Sequence, residues 1–364
     1  MPIPQVHYSY YTHAMRKYLL FAEQLYSYPI LRPIQEAIRK RGDQVAWYLY
    51  KIPNFLNSDD AQVLSSVEEV KDFNPDAVFI PTNWVPDFFP GIKVEVFHGF
   101  NVGKRANSSQ DHFRIRGHFD LYCTQGPDTT IPFKQLATKH GYFKVIETGW
   151  SKLDPMFLCD KPNQLREKIK TNKPIVFYAS TFSPKLTSAP TLVKHIEKMA
   201  STGKWHWLVT LHPKSAPETI ELYRNIKNEN LTFIEPGEEI IPMLYAADVM
   251  LCDTSSIFIE YLLLNKPVVT FNTSVPGPHL IDVQSIDQIE PALDKALSRP
   301  QTLMNEIEKY AENIHPQRDG FASERILNAA EEFINSDKKD LKKKPFNLGR
   351  KIQIRKKLKY YKIK

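Results

Sequence analysis

The chain has 364 residues, of which 42% are hydrophobic, and this length is enough for two α/β domains that each have a core. It contains no run of about 18 apolar residues, and its N-terminus lacks the pattern of a secretory signal, so we expect a cytosolic chain without a membrane-spanning helix. Three scattered cysteines are too few for a disulfide framework or a zinc cluster. The formal net charge is +7.

Short apolar segments alternate with helical segments through the first part of the chain. Strands are predicted at residues 44–50, 77–81, 93–97, 121–124 and 145–148. Helices are predicted at residues 29–41, 59–72 and 132–140. Short buried strands that alternate with helices are typical of a parallel sheet.

A polar, turn-like segment at residues 150–155 precedes a second series of the same kind. Its strands are predicted at residues 174–179, 205–211, 231–234, 248–252 and 267–271, and its helices at 187–201, 218–228, 257–264 and 287–298. The sequence therefore predicts an α/β protein with two Rossmann-like, doubly wound domains that face each other across a cleft, at residues 1–155 and 156–335. Ligands of such sheets bind beyond the carboxyl ends of the strands, so residues just after each strand are candidate site residues.

His98 directly follows the predicted strand at 93–97 and precedes Gly99. An imidazole at that position projects into the cleft and is well suited to accept a proton near neutral pH. Lys104 or Arg105, a few residues on, could hold an anion. A histidine that only bonds a backbone carbonyl would produce the same pattern.

Two other strand ends carry polar side chains. His212 and Lys214 follow the strand at 205–211, where Pro213 prevents the strand from continuing. Ser180 and Thr181 directly follow the strand at 174–179 and carry hydroxyls that could contact phosphate. The alternative is a pair of ordinary polar turns.

The segment from Asp253 to Tyr261 is the most specific. Its strand ends in Asp253-Thr254-Ser255-Ser256, and an apolar helix begins at once. The three hydroxyls can cap that helix, and the free N–H groups of a helix start bind anions, which suits a diphosphate. Ordinary helix capping without a ligand is the alternative.

Motifs of several cofactor classes are missing from the sequence. No Gly-x-Gly-x-x-Gly or P-loop sequence is present, so we predict neither a nicotinamide cofactor nor a P-loop nucleotide site. No Asp-x-Asp metal motif follows any strand, and we predict no bound metal or other cofactor; a loosely held Mg²⁺ is the alternative.

Taken in order, these segments resemble the CDP-glycerol glycerophosphotransferase family, the teichoic-acid-type glycerol and ribitol phosphotransferases with a GT-B fold. The resemblance covers about residues 97–334 and rests on five segments that occur in the family's order. They are His98-Gly99 with Lys104, the linker at 149–154, His212-Pro213, the segment at 253–261 that ends in Glu260-Tyr261, and the Asp-Gly-x-Ala-Ser-x-Arg segment at 319–325.

The resemblance implies a transferase that moves a phosphoalditol, in the first place glycerol phosphate, from a CDP-activated donor to a hydroxyl of a lipid-linked glycan or polyol-phosphate acceptor. His98 would be the general base and His212 the second catalytic residue, with CMP leaving. The implied donor-binding residues are Lys104, Ser180, Thr181, Lys214, Asp253, Thr254, Ser255, Ser256, Glu260 and Arg325.

Departures from the family pattern leave the transferred group open. Phe97 stands where the family usually has Trp, Phe100-Asn101 replaces Thr-Pro, and Phe321 replaces Lys. Ribitol phosphate, another phosphopolyol or a sugar phosphate are alternatives.

Other functions are compatible with the same fold. A UDP-sugar glycosyltransferase or a UDP-GlcNAc 2-epimerase would share it, although an epimerase would usually have Ser-Gly-Gly where this chain has Thr-Ser-Ser. A polymer- or nucleotide-binding protein without catalysis is a third reading.

Positive charge is concentrated at the C-terminus. Residues 338–364 contain 13 Lys or Arg and one Asp, so the rest of the chain carries a net charge of −5. Apolar residues interleave with these cations, and the pairs Leu348–Ile352 and Ile354–Leu358 have helical spacing. We therefore expect residues 336–364 to form a basic amphipathic segment that docks on the anionic inner face of the cell membrane, rather than on nucleic acid. A disordered, solvated charge run is the alternative.

Overall fold

The structure, a computed structural model, describes residues 15–56, 62–100, 112–160 and 162–362. Two parallel sheets form its framework. The strands of the first sheet are β1 Lys17–Ala22, β2 Gln44–Leu49, β3 Gln62–Leu64, β4 Ala77–Ile80, β5 Ile92–Glu95, β6 Leu121–Thr124 and β7 Lys144–Glu147. Those of the second sheet are β8 Ile175–Ser180, β9 His206–Leu211, β10 Leu231–Phe233, β11 Val249–Cys252, β12 Val268–Phe271 and β13 Ile281–Val283.

Helices cover both faces of these sheets. In chain order they are α1 Ser27–Lys40, α2 Val67–Phe73, α3 Pro127–His140, α4 Asp154–Phe157, α5 Gln164–Ile169, α6 Ala189–Ser201, α7 Pro217–Arg224, α8 Ile241–Ala246, α9 Ile257–Leu263, α10 Ile289–Leu297, α11 Gln301–Ile314, α12 Ala322–Asn335 and α13 Leu348–Leu358. Single turns of 3-10 helix lie at Ser151–Leu153 and Ile286–Gln288.

The strand order confirms two doubly wound domains. It is β3-β2-β1-β4-β5-β6-β7 in the first sheet and β10-β9-β8-β11-β12-β13 in the second. Successive residues of the central strands belong to different cores: Tyr18 and Leu20 of β1 pack on one face of the first sheet, whereas Leu19 and Phe21 pack on the other. Each sheet is therefore buried on both faces, as parallel sheets require.

The last long helix of the second domain returns to the first. The Arg41 side chain, just after α1, pairs with Glu324 at 3.0 Å and with Glu331 at 3.4 Å, both on α12. Buried Phe333 of α12 belongs to the same hydrophobic cluster as Ile34 of α1. The two domains are therefore joined by packing as well as by the linker.

The structure corrects several predicted elements. Strand β1 precedes the strand at 44–50 that the sequence suggested as the first, and it lies in the interior of the sheet between β2 and β4. The helix predicted at 59–72 is in part strand β3, and α2 begins only at Val67, where the Ser66 side chain accepts a hydrogen bond from the Glu69 N–H. Residues 57–61 lie outside the described part of the chain.

The basic C-terminus is packed on the first domain. We call residues 341–362 the C-terminal strap. Its helix α13 lies against the loop between β4 and β5, where the Tyr360 ring stacks on Phe88 with centroids 4.7 Å apart. Ile354 and Tyr360 are 4% and 6% exposed. Ile354, which was expected to be part of a membrane-docking face, is instead buried together with Tyr360 because the first domain offers them an apolar surface.

Within the described residues, no helix is both long and apolar enough to cross a bilayer.

Candidate active site

The strand order reverses between β1 and β4 in the first sheet and between β8 and β11 in the second. Such switch points open a crevice at the carboxyl ends of the strands, and ligands of doubly wound sheets bind there. Residues that follow β1, β4 and β5 in the first domain, and β8, β9 and β11 in the second, therefore form the candidate site.

His98 is held in one orientation by its neighbours. The preceding residue, buried Phe97, has a φ of 57°, a conformation that a bulky residue adopts only under strain. The His98 Nδ1 lies 3.0 Å from the Pro81 carbonyl oxygen, and the ring stacks on Tyr26 with centroids 5.3 Å apart. Because a carbonyl can only accept, Nδ1–H donates, and the lone pair of the neutral ring is on Nε2.

The protonation state of His98 agrees with a proton acceptor. Burial lowers the pKa of the imidazole, and the nearby Arg116 guanidinium lowers it further, while the hydrogen bond to Pro81 acts in the opposite direction. A lowered pKa leaves the ring neutral at neutral pH, which is the state a general base needs.

Sequence reasoning missed several residues around His98. Trp84 follows β4, and its Nε1–H donates to the carboxylate of Glu23, which follows β1, at 2.5 Å. Arg116 donates from Nη1 to the Asn83 side-chain oxygen at 3.2 Å. Position after a strand could have identified Asn83 and Trp84, whereas Tyr26 and Glu23 depend on a strand that the sequence did not reveal.

His212 adopts the opposite tautomer to His98. It is exposed, and its Nδ1 accepts a hydrogen bond from the Lys214 N–H at 3.0 Å, so the proton of the neutral ring is on Nε2. The Phe182 ring lies beside His212 at 4.4 Å between centroids, and the Lys214 ammonium lies over Phe182 at 5.6 Å. The structure thus brings the ends of β8 and β9 together around one histidine.

The buried Asp253 side chain holds together the chain segments at the second domain's switch point. Its buried carboxylate accepts hydrogen bonds from the Ser180 hydroxyl at 2.5 Å, the Thr181 N–H at 2.8 Å, and the Ser188 N–H and hydroxyl at 2.8 and 2.9 Å. Burial raises the pKa of Asp253, and these hydrogen bonds partly offset the rise. Thr254 is also buried, and its hydroxyl accepts from the Ser274 N–H at 3.0 Å.

These contacts bear on four residues predicted to bind the donor. Ser180, Thr181, Asp253 and Thr254 are at most 8% exposed, and the Ser180, Asp253 and Thr254 side chains and the Thr181 N–H are bonded within the protein. They fix the ends of β8 and β11, and a direct ligand contact by any of the four stays a prediction.

Ser255 and Ser256 are the members of that segment that reach the surface. Ser255 is half-buried and Ser256 exposed. The expected capping is not found: Ser256 has helical backbone angles and makes no side-chain capping bond to α9 in the described part of the chain. The hydroxyls are therefore not used by the helix. Since α9 has only seven residues, these side chains and the turn's N–H groups matter more here than a helix dipole.

Glu260 lines an apolar cavity between the domains. The cavity has a volume of about 450 Å³ and is lined by residues of α1, the linker, the start of α8 and α9. The Lys152 ammonium pairs with the Glu260 carboxylate at its edge, and it also lies over the Trp150 ring at 5.2 Å. This volume is within the range of ligand pockets.

Arg325 belongs to the hinge between the domains. Its guanidinium donates to the Thr148 carbonyl at 2.7 Å and to both oxygens of Asp319, at 2.8 and 2.9 Å. Nearby, the Asp154 carboxylate accepts from the N–H groups of Ala322 and Ser323 at 2.9 and 2.8 Å. Burial raises the pKa of Asp154 to about 6. The 319–325 segment thus anchors α12 to the linker, and a direct ligand contact by Arg325 stays a prediction.

Lys104 lies outside the described residues. Among residues 15–56, 62–100, 112–160 and 162–362, no group of three or more His, Cys, Asp or Glu side chains is arranged to hold a metal ion.

Comparison with known proteins identifies the family to which this chain is similar. A sequence profile of the family described as CDP-Glycerol:Poly(glycerophosphate) glycerophosphotransferase matches residues 99–332. Teichoic acid ribitol-phosphate polymerase TarK of Staphylococcus aureus (strain NCTC 8325 / PS 47) is 23% identical over an alignment of 262 residues, and that alignment covers 63% of this chain and 48% of TarK. The match thus spans about half the length of that relative.

Solved structures confirm the GT-B-like fold. The wall teichoic acid polymerase TagF has a TM-score of 0.63 at 14% identity, with 88% of this chain and 89% of TagF covered, and a histidine-to-asparagine variant of TagF was solved after a soak with CDPG. MnaA of S. aureus, solved with UDP, has a TM-score of 0.61 at 17% identity over 91% of this chain and 99% of MnaA. Proteins solved with different nucleotides share this fold, so the fold alone does not select the donor.

Proposed function

Since the chain belongs to the CDP-glycerol:poly(glycerophosphate) glycerophosphotransferase family, we propose that it transfers a phosphoalditol, glycerol phosphate in the first place, from a CDP-activated donor to a hydroxyl of a teichoic-acid-type acceptor. The observation that carries this proposal is the opposite tautomers of two histidines, one on each domain. The unprotonated Nε2 of His98 can accept a proton, and the protonated Nε2 of His212 can donate a hydrogen bond.

The reaction follows from these two states. The His98 Nε2 accepts the proton of the acceptor hydroxyl, and that oxygen attacks the donor phosphorus that bears the alditol. A new P–O bond forms as the bond from that phosphorus to the CMP oxygen breaks, and CMP leaves. The His212 Nε2–H donates to the diphosphate, where charge develops on the leaving group. Lys214, in the same turn, adds positive charge.

On the donor side, Ser255 and Ser256 offer their hydroxyls to the diphosphate, and the cavity that Glu260 lines, one turn further along α9, takes part of the CMP moiety. The volume of about 450 Å³ and the apolar lining support this assignment. A carboxylate at the cavity edge suits the hydroxyls of a ribose. Asp253, Ser180 and Thr254 hold this surface in place.

The direct test is CMP release by the purified protein. We expect release from CDP-glycerol that depends on a glycerol-phosphate acceptor, with CDP-ribitol and UDP-GlcNAc run in parallel. Turnover of UDP-GlcNAc but not of either CDP donor would contradict the proposal and favour a UDP-sugar enzyme. Binding of CDP-glycerol without release of CMP in the presence of acceptor would favour a binding protein.

The pH dependence of the reaction should reflect the protonation of the His98 imidazole. Because its pKa is lowered, the rate should stay high below pH 6.5 and fall only at lower pH, as the base becomes protonated. Arg116→Gln removes a positive charge that disfavours the imidazolium, so the acidic limb of kcat/KM for the donor should move to higher pH. Arg114→Gln, an exposed neighbour, is the matched control. Equal profiles for Arg116→Gln and the wild type would contradict the assignment of the base.

We also propose that the outer face of the C-terminal strap docks on the anionic inner face of the cell membrane. Phe346, Leu348 and Ile352 are 73%, 54% and 44% exposed, although they are apolar, and cations surround them. Each Lys or Arg near an anionic surface contributes about 1 kcal/mol of attraction. A lipid-linked acceptor would be found at that surface.

Co-sedimentation with vesicles tests this docking. The double substitution Leu348→Asn, Ile352→Asn should reduce binding to anionic vesicles, and raised salt should weaken wild-type binding. The control is Leu222→Asn, which replaces an equally exposed leucine on α7. Truncation after Asp337 is a poorer test because it also removes buried Ile354 and Tyr360. If the double variant and the wild type sediment equally, the strap is not the membrane contact.

A further inference from the structure

The last turn of the C-terminal strap reaches the switch point of the first sheet. The Lys357 ammonium lies over the Trp84 ring, 4.3 Å from its centroid, and the Tyr50 hydroxyl, after β2, donates to the Lys357 carbonyl at 3.1 Å. Trp84 in turn donates to Glu23, after β1. Lys357 is therefore held at the carboxyl ends of β1, β2 and β4, in the crevice where ligands bind.

The beginning of the strap supports the other side of the same loop. Asn347 donates from Nδ2 to the Arg116 carbonyl at 2.9 Å, and Arg350 donates from Nη1 to the same oxygen at 3.3 Å. The Arg116 side chain reaches Asn83, next to Trp84, and its charge acts on His98. The strap thus holds Lys357 against Trp84 and supports the backbone of Arg116, so that both cations contact the loop that carries the Pro81 carbonyl.

Several contacts fix the strap in this place. The Lys344 ammonium pairs with Asp120 at 2.7 Å and donates to the His118 carbonyl at 2.8 Å. At the other end, the Lys71 ammonium donates to the Tyr360 hydroxyl at 2.9 Å. With Ile354 and Tyr360 buried, the strap is a fixed part of the first domain rather than a loose charged tail.

We propose that the strap forms a phosphate-binding rim for the acceptor, in which Lys357 and Arg116 contact phosphodiester groups of an anionic acceptor chain as its end approaches His98. Lys357 is exposed and has no ion pair with another described residue. An acceptor that carries repeated negative charges gains from two cations at the mouth of the site, whereas a neutral glycan does not. This inference rests on the proposed function and assigns two residues that hold its anionic acceptor.

The test compares two adjacent lysines of α13. Lys357→Gln should raise the KM for a soluble oligo(glycerol phosphate) acceptor about two- to fivefold, the loss expected for one exposed charge contact, and should leave the KM for CDP-glycerol unchanged. Lys356→Gln removes the same charge from an exposed side chain that has no described contact with Trp84, and it should have a smaller effect. Equal changes in both variants, or none, would overturn the proposal.

A binding measurement separates this inference from the proposed function. Calorimetric titration with the same oligo(glycerol phosphate), without donor, needs no turnover. Weaker binding by Lys357→Gln than by Lys356→Gln, in proteins with unchanged melting temperature, supports the rim even if CDP-glycerol is not the donor. Equal affinities would overturn the rim even if the wild type releases CMP.

Discussion

Replacing His98 with alanine should lower the rate of CMP release about 10²- to 10⁴-fold, the usual loss when a general base is removed. The reason lies in the environment of the ring: its Nδ1–H is committed to the Pro81 carbonyl, and its Nε2 is left as the proton acceptor. Stability should change little because part of the side chain stays in contact with solvent, although its neighbours partly desolvate the ring. Steady-state turnover and thermal melting of the purified variant measure both effects.

His195→Ala is the matched control for that variant. His195 lies on α6, outside the candidate site, and its removal should leave turnover unchanged. If His98→Ala retained near-normal CMP release with normal melting, His98 would not be the base, and the strained backbone at Phe97 would require another explanation.

Replacing Ser255 with aspartate should weaken binding of the CDP-activated donor about tenfold to several hundredfold. A carboxylate at this surface position would face the diphosphate, and a juxtaposed like charge costs up to several kcal/mol, at 1.4 kcal/mol for each factor of ten. Ser255→Ala should be milder, since it removes one hydrogen bond while the N–H groups of the turn remain. Titration of each variant with CDP-glycerol measures the affinities.

Ser255→Asn provides the control for size. Asparagine has the shape of aspartate without its charge, so a difference between the two variants isolates the electrostatic effect. Equal affinity of Ser255→Asp and the wild type would exclude this serine from the diphosphate site.

The sequence predicted the second domain well because its strands are short apolar runs bounded by turn residues. All five strands predicted there correspond to β8 to β12, and only the short edge strand β13 was missed. Position after a strand also placed His98 and His212 at the two domains' carboxyl edges. Such signals are local, so one sequence is enough to reveal them.

The incorrect predictions have a common physical cause, which is that contacts between residues distant in sequence determine the structure at those positions. Strand β1, with the sequence KYLLFA, has leucines and alanine that suit a helix equally well, and only its central place in the sheet makes it a strand. The Asp253 and Thr254 side chains bond within the protein because Ser188 and Ser274, which are distant in sequence, donate hydrogen bonds to them. The strap's place beside Trp84 likewise has no local signal.

The return of α12 to the first domain has a consequence for how the chain folds. The surface of α1 that α12 covers is completed only after more than three hundred residues have been synthesised, because Phe333 and the partners of Arg41 lie at 324–333. A fragment that ended at the linker would expose that apolar surface to water. The first domain is thus discontinuous along the chain, and its native core cannot be complete until the C-terminal residues have left the ribosome.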